Sequence, residues 1–360
     1  MLKYSFIVFA HAILLSLESI FAEFIQNSLQ VSVITIISIS LPISGGILLL
    51  IHFTSTTNKN NNNNETNDPN DIKNNINNNN INIFKNYICK NYRQLFPAAI
   101  FLSIGIFTWY DAASRIGASK DGLIAGALEI TIVLFLAHLI LKERLTRTQL
   151  LGVFLAIIGF FITISIGNNT TTNNPTESFN YYFSLGDFES IISAICFATS
   201  YLFTAKLVKN DSPIKVTGLL LLLSGLVFIV ISSLIFTVTK NSVFSFEGLY
   251  LQNLWILFLF SFVPLSSALF YNIGLKKLGA SITSILASST IILTIIFQVL
   301  FNLMGHAMIL PLNISMAILG GSIGIIGIII IHIPSDKLLL LLSVTLNGKF
   351  KYNKMFIKNS

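Results

Sequence analysis

The feature that most limits what this chain can become is the length and monotony of its apolar runs. Stretches such as 122–141, 148–167 and 313–333 stay largely apolar without polar–apolar alternation. About 20 such residues cross a bilayer as a helix. In hydrocarbon the backbone must satisfy its own hydrogen bonds, which leaves helices or closed barrels. The lack of alternation argues against barrel strands. Charged residues are only 10% of the chain and hydrophobic ones 53%, whereas a soluble domain carries about 25% charged residues. The sequence therefore predicts an all-α integral membrane protein in contact with the lipid bilayer.

Ten transmembrane helices fit, at 4–25, 31–53, 95–114, 119–141, 148–167, 187–208, 214–238, 253–275, 280–302 and 313–333. Pro42, Pro97, Pro264 and Pro311 lie in or beside them, where membrane helices tolerate kinks. The first run is read as a span because Phe21-Ala22-Glu23-Phe24 makes a poor signal-peptide cleavage site.

With the N-terminus inside, 19 of the 22 Lys and Arg fall on the cytoplasmic side, and only Arg115, Lys120 and Lys240 fall outside. Basic loops collect in the cytoplasm, so both termini are expected there. The formal charge of +7 is thus a matter of topology, and no nucleic-acid partner is expected. The host membrane is the cell membrane, or an endomembrane in a eukaryote. Cys89 and Cys196 are too far apart in the chain to form a CxxC site. No cofactor or metal is expected, and no Walker-type loop for an ATP-driven pump occurs.

Three polar segments interrupt the pattern. In 54–94, asparagine fills 15 of the 25 positions from Asn58 to Asn82, and such a tract buries too little apolar surface to order itself. It is expected to be a cytoplasmic loop insert. Residues 168–186 form an outside linker with glycosylation-type motifs at Asn168 and Asn169. Residues 334–360 form a basic tail, in which Lys349, Lys351, Lys354 and Lys358 alternate with Phe350, Tyr352 and Phe356. The tail either lies on anionic lipid or stays disordered.

The chain also repeats. At a shift of 162, Gly117-Ala118-Ser119 meets Gly279-Ala280-Ser281, Gly122 meets Ser284, Ala125 meets Ala287 and Gly126 meets Ser288. After an insertion, Gly152 and Gly159 meet Gly320 and Gly327. Small residues at such spacings let helices approach closely. Two units of five spans, 1–167 and 187–333, must enter the membrane in opposite senses. That is the inverted-repeat plan of many secondary transporters.

The run Gly117-Ala118-Ser119, an apolar span, Lys-Glu-Arg-Leu-Thr at 142–146, Gln149-x-x-Gly152 and a terminal Gly159 resembles the EamA-type repeat of the drug/metabolite transporter superfamily. Gly186-Asp187 and Tyr271-Asn272-x-Gly274-x-Lys276-Lys277-Leu278-Gly279-Ala280-Ser281 extend the resemblance into the second half. It implies a ten-helix export or exchange carrier with a central cavity between repeats and a small-molecule substrate. Amino acids, nucleotide sugars, other metabolites and drugs are all handled in that superfamily. The chain departs from the pattern at two places: Glu143 meets Gly305 in the second repeat, and the proline usual in span four is missing, with Ile130 near its place.

Charges inside spans are functional candidates by default. Glu18 lies in span one, and Glu129 lies near the centre of span four on the face of Gly122, Ala125 and Gly126. A carboxylate placed so can couple transport to protons or bind a substrate amine; the bland alternative is a hydrogen-bonded packing residue. Trp109 and Tyr110 end span three, and Tyr271 and Asn272 hold the matching place in span eight. They are read either as gate or cavity residues or as interfacial aromatic anchors. Gln298, with Asn302, Thr290 and Thr294, gives span nine a polar side, suited to the pathway or to bonds between helices.

The leading reading is a secondary transporter with alternating access, not an enzyme, acting on small polar metabolites or drugs. Monomer and homodimer are left as alternatives. The rival is a membrane-embedded transferase using His138 and Glu143, which stand five apart and so on different helix faces.

Overall fold

The computed structural model describes residues 2–61, 69–141, 147–164, 184–239, 251–279, 283, 286–306, 308–310 and 314–332. The Lys142–Thr146 elbow with Glu143, most of the 168–186 linker, the 334–360 tail and the second-repeat positions Ala280, Ser281 and Ser284 lie outside these residues, as does the side chain of His138.

Eleven helices are described: α1 (Leu2–Leu29), α2 (Val33–Asn61), α3 (Pro69–Ile116), α4 (Ala118–Leu141), α5 (Arg147–Ile164), α6 (Leu185–Asn210), α7 (Pro213–Thr239), α8 (Leu251–Phe260), α9 (Phe262–Leu278), α10 (Ser289–Leu303) and α11 (Ile314–His332). No strand occurs among the described residues. Six helical stretches there are long and apolar enough to cross a membrane: Lys3–Leu29, Val33–Ser55, Asn86–Ile116, Leu185–Asn210, Pro213–Leu234 and Asn253–Leu278. Large apolar side chains cover the outside, including Phe6, Phe154, Trp255 and Leu303, while Glu18, Glu23, Lys120, Asp121 and Asp187 are buried. This polarity suits lipid outside and polar groups paired within.

Span eight is one helical stretch, Asn253–Leu278, with an irregular turn at Ser261 between α8 and α9. Pro264 lacks the N–H that would bond Phe260 four residues back. The carbonyl of Ser261 accepts the Leu265 N–H at 3.4 Å and also a 2.5 Å bond from Ser44 Oγ on α2. One sequence expectation changes: 54–94 is not a loop throughout, because α2 runs on to Asn61 and α3 starts at Pro69. Proline suits a first helical turn, where its missing N–H has no partner to lose, and a helix continued from a span needs no new nucleus.

The packing partners come in reciprocal sets. α2 lies on α7, and α5 on α11; α3 meets α6 as α9 meets α1; α4 meets α6 as α10 meets α1; α3 meets α7 as α9 meets α2. Exchanging α1 with α6, α2 with α7, α3 with α9, α4 with α10 and α5 with α11 maps the set onto itself. The turns agree: Gly117 and Gly279 both have φ +83°, a conformation that glycine adopts without strain. At Gly117 a side chain would also run into the Ile309 carbonyl.

The α5–α11 contact is close enough that a Cβ on Gly159 would stand 2.6 Å from Gly320 O and Gly324 N. Overpacking of this kind costs about 1–3 kcal/mol. Gly159→Leu is therefore expected to lower the thermal midpoint in detergent, read by size exclusion after heating.

Candidate functional site

A cavity of about 120 Å³ opens at the centre of the bundle. Its walls come from α1, α3, α4, α6, α7 and α9, with the turn 287–288 and the start of α10. Among the described residues, α2, α5, α8 and α11 contribute nothing to the lining.

Helix periodicity sets the contributions. His11, Leu15 and Glu18 fall on one stripe of α1, and Gly122, Ala125, Gly126 and Glu129 on one stripe of α4. The α4 glycines open space beside Glu129. Trp109 on α3, Phe197 and Tyr201 on α6 and Tyr271 on α9 form an aromatic wall. Their rings are contiguous: centroids are 5.8 Å apart for Trp109–Phe197, 6.0 Å for Phe197–Tyr201 and 4.6 Å for Tyr201–Tyr271. The His11 ring follows at 5.0 Å from Tyr271. His11 Nδ1 lies 2.9 Å from the Ser267 carbonyl, which only accepts, so Nδ1 carries a proton.

The two cavity carboxylates differ. Glu18 is 3% exposed and accepts a 2.7 Å bond from Tyr110 Oη. Glu129 is half-buried and has no hydrogen-bond or ion-pair partner among the described residues. Asn272 donates from Nδ2 to Thr217 Oγ1 at 2.8 Å, and its Oδ1 is buried without a partner.

Of the residues singled out from the sequence, Glu18, Glu129, Trp109, Tyr271 and Asn272 line the cavity. Tyr110 stands behind it, fully buried, holding Glu18. Both Trp109 and Tyr110 are buried side chains, and α3 continues beyond them to Ile116. Gln298 does not line the cavity; it belongs to a second polar cluster.

That cluster lies toward one end of the bundle. Glu23 on α1 accepts bonds from Ala118 N at 2.8 Å, Gln298 Nε2 at 2.7 Å and Ile309 N at 2.7 Å. Gln298 Oε1 in turn accepts from the backbone N–H and hydroxyl of Ser119. Lys120 pairs with Asp187 at 2.9 Å, both buried, and Asp121 accepts from Ser190 Oγ at 2.5 Å. Arg115 bridges Asp111 at 2.8 Å and Glu189 at 3.2 Å. On each helix the cluster residues stand on one side along the chain and the cavity residues on the other. Glu23 thus lies beyond Glu18, Ser119 before Gly122, Asp187 before Phe197, and Gln298 beyond Ile291.

Sequence reasoning missed Glu23, the buried role of Lys120, and His11. From the sequence Glu23 reads only as part of a poor cleavage site, and Lys120 as an outside charge at the start of the span 119–141. His11 had a signal, since it precedes Glu18 by seven residues and so shares its face.

A lipid-exposed helical bundle around a partly polar cavity is the build of a membrane carrier for small molecules. The chain belongs to the EamA-like transporter family, whose model matches residues 2–165 and again 184–333. It is 27% identical over 205 residues to the uncharacterized transporter YyaM of Bacillus subtilis (strain 168). That match covers 54% of this chain and 62% of the relative, less than two thirds of the relative's length. A solved crystal structure, described only as that of a protein, superposes with a TM-score of 0.52 at 14% identity, covering 92% of this chain and 98% of its own. It shares the fold. The chain is thus a member of that family with several helices long and apolar enough to cross a membrane.

Proposed function

We propose that the protein is a secondary exporter or exchanger of small polar metabolites or drugs. Ten spans are arranged as two inverted five-helix repeats, 1–167 and 187–333, joined by an outside linker at 168–186. The Asn-rich insert, the basic tail and both termini face the cytoplasm. Alternating access proceeds by rocking the repeats about the cavity between them. The observation that carries this reading is the cavity's parentage: α1, α3 and α4 from the first family match and α6, α7, α9 and α10 from the second build it together. The reciprocal packing supports the inverted relation. In this reading the cluster around Glu23, Gln298 and Lys120 seals the outer end, so the cavity belongs to the inward-facing half of the cycle. Glu18 and Glu129 bind substrate or couple its movement to protons, Trp109, Tyr271 and Asn272 contact substrate, and Tyr110 and Gln298 position their neighbours.

Thermal unfolding of the purified protein against amino acids, nucleotide sugars, nucleotides and cationic drugs tests the binding half of this proposal. At least one class is expected to raise the midpoint. The gain should vanish in Thr204→Trp, which fills the cavity from α6. A panel with no stabilising compound, or one whose effect survives Thr204→Trp, contradicts it.

A further inference from the structure

The balance of charge and hydrogen-bonding groups in the cavity restricts its occupant, an inference that rests on the transporter reading above. Among the described residues the lining includes two carboxylates, Glu18 and Glu129, and neither a lysine nor an arginine. Glu18 is engaged by Tyr110. Glu129 faces the cavity with no partner among the described residues. A buried carboxylate calls for a proton or a cation beside it.

Asn272 points the same way independently. Thr217 has one hydroxyl proton, and it is committed to Pro213 O at 2.7 Å. Thr217 Oγ1 must therefore accept from Asn272 Nδ2, which fixes the amide and leaves Oδ1 as the unpartnered atom. Asn272 is 5% exposed and lines the cavity. Thr290 Oγ1, also in the lining, is buried and unpartnered. Carboxylate and amide oxygens without partners ask for a donor. The wall of Trp109, Phe197, Tyr201 and Tyr271 attracts cations over its ring faces.

We propose that the cavity takes small organic monocations: a protonated amine seated at Glu129, with an apolar or aromatic body against that wall. Anionic metabolites, nucleotide sugars among them, are disfavoured, because the described lining holds no lysine or arginine to neutralise them and the His11 ring spends its Nδ1 proton on the Ser267 carbonyl.

The two tryptophans make this measurable. Trp109 lines the cavity, and Trp255 is 70% exposed on the outer surface, so Trp255→Phe leaves Trp109 as the sole reporter. Its fluorescence is titrated with 2-phenylethylammonium, 2-phenylethanol and 3-phenylpropionate. The ammonium is expected to saturate at least about tenfold more tightly than the alcohol, the worth of one close charge interaction, and the acid not at all. Glu129→Gln should bring ammonium and alcohol to within about threefold of each other, while Glu129→Asp keeps the preference. The proposal is overturned if alcohol or acid binds as tightly as the ammonium, or if Glu129→Gln retains the preference. It is equally overturned if no probe binds to protein shown folded by circular dichroism. Counterflow in vesicles separates this from the reading beneath it. Ammonium binding without transport removes the transporter and leaves the site. Transport of an anionic metabolite without ammonium binding does the reverse.

Discussion

Glu129→Gln is expected to cut uptake into proteoliposomes by about 30- to 1000-fold, the equivalent of losing 2–4 kcal/mol at one charged group, with the protein still folded. The two halves of that outcome have separate causes. Glu129 faces the cavity and has no partner among the described residues, so a neutral amide of the same shape breaks no described bond and leaves no group orphaned. The charge is nevertheless lost, and glutamine can neither neutralise a bound cation nor carry a proton through the cycle. Uptake is measured with and without a pH gradient, beside the thermal midpoint. Full pH-dependent uptake by the variant would remove Glu129 from both coupling and binding.

Glu23→Ala should do the opposite, damaging the fold first. Its carboxylate accepts from Ala118 N, Ile309 N and Gln298 Nε2. Glu23 is fully buried, so removing the acceptor strands three donors away from water. Each stranded donor costs about 1–3 kcal/mol, and relief comes only if the end of the bundle opens to water. Ala118 begins α4, so the helix also loses its N-terminal anion. The expected result is a large fall in thermal midpoint together with faster amide hydrogen exchange at Ala118 and Ile309. An unchanged midpoint with protected amides would show that the cluster does not hold that end shut. Glu23→Gln should fall between, because it keeps one acceptor oxygen and turns the other into a donor facing donors.

The membrane class was legible because hydrocarbon allows few backbone solutions, so long apolar runs speak plainly. The α4 stripe was legible too: Gly122, Ala125, Gly126 and Glu129 follow helical spacing, and a charge there cannot face lipid. What sequence could not supply was the pairing across distance. Lys120 sits at the outer start of the span 119–141, where it reads only as one more topology charge, and its partner Asp187 is far along the chain. Only the packing of α4 on α6 brings them to 2.9 Å. Gln298 and Glu23 are likewise joined by folding alone, which is why the sequence leaves Gln298 open between the pathway and a bond between helices. The irregular turn at Ser261 did have a local cause in Pro264, but the bond from Ser44 is a tertiary event.

Counterflow by the wild-type protein tests the central claim most directly. Liposomes holding the reconstituted transporter are loaded with unlabelled 2-phenylethylammonium, or with whichever compound raises the thermal midpoint most, and diluted into a trace of the labelled form. The account predicts transient accumulation of label above the outside concentration, absent from protein-free liposomes and from those carrying Thr204→Trp. Label that never exceeds the protein-free control, for any compound that binds, would contradict it.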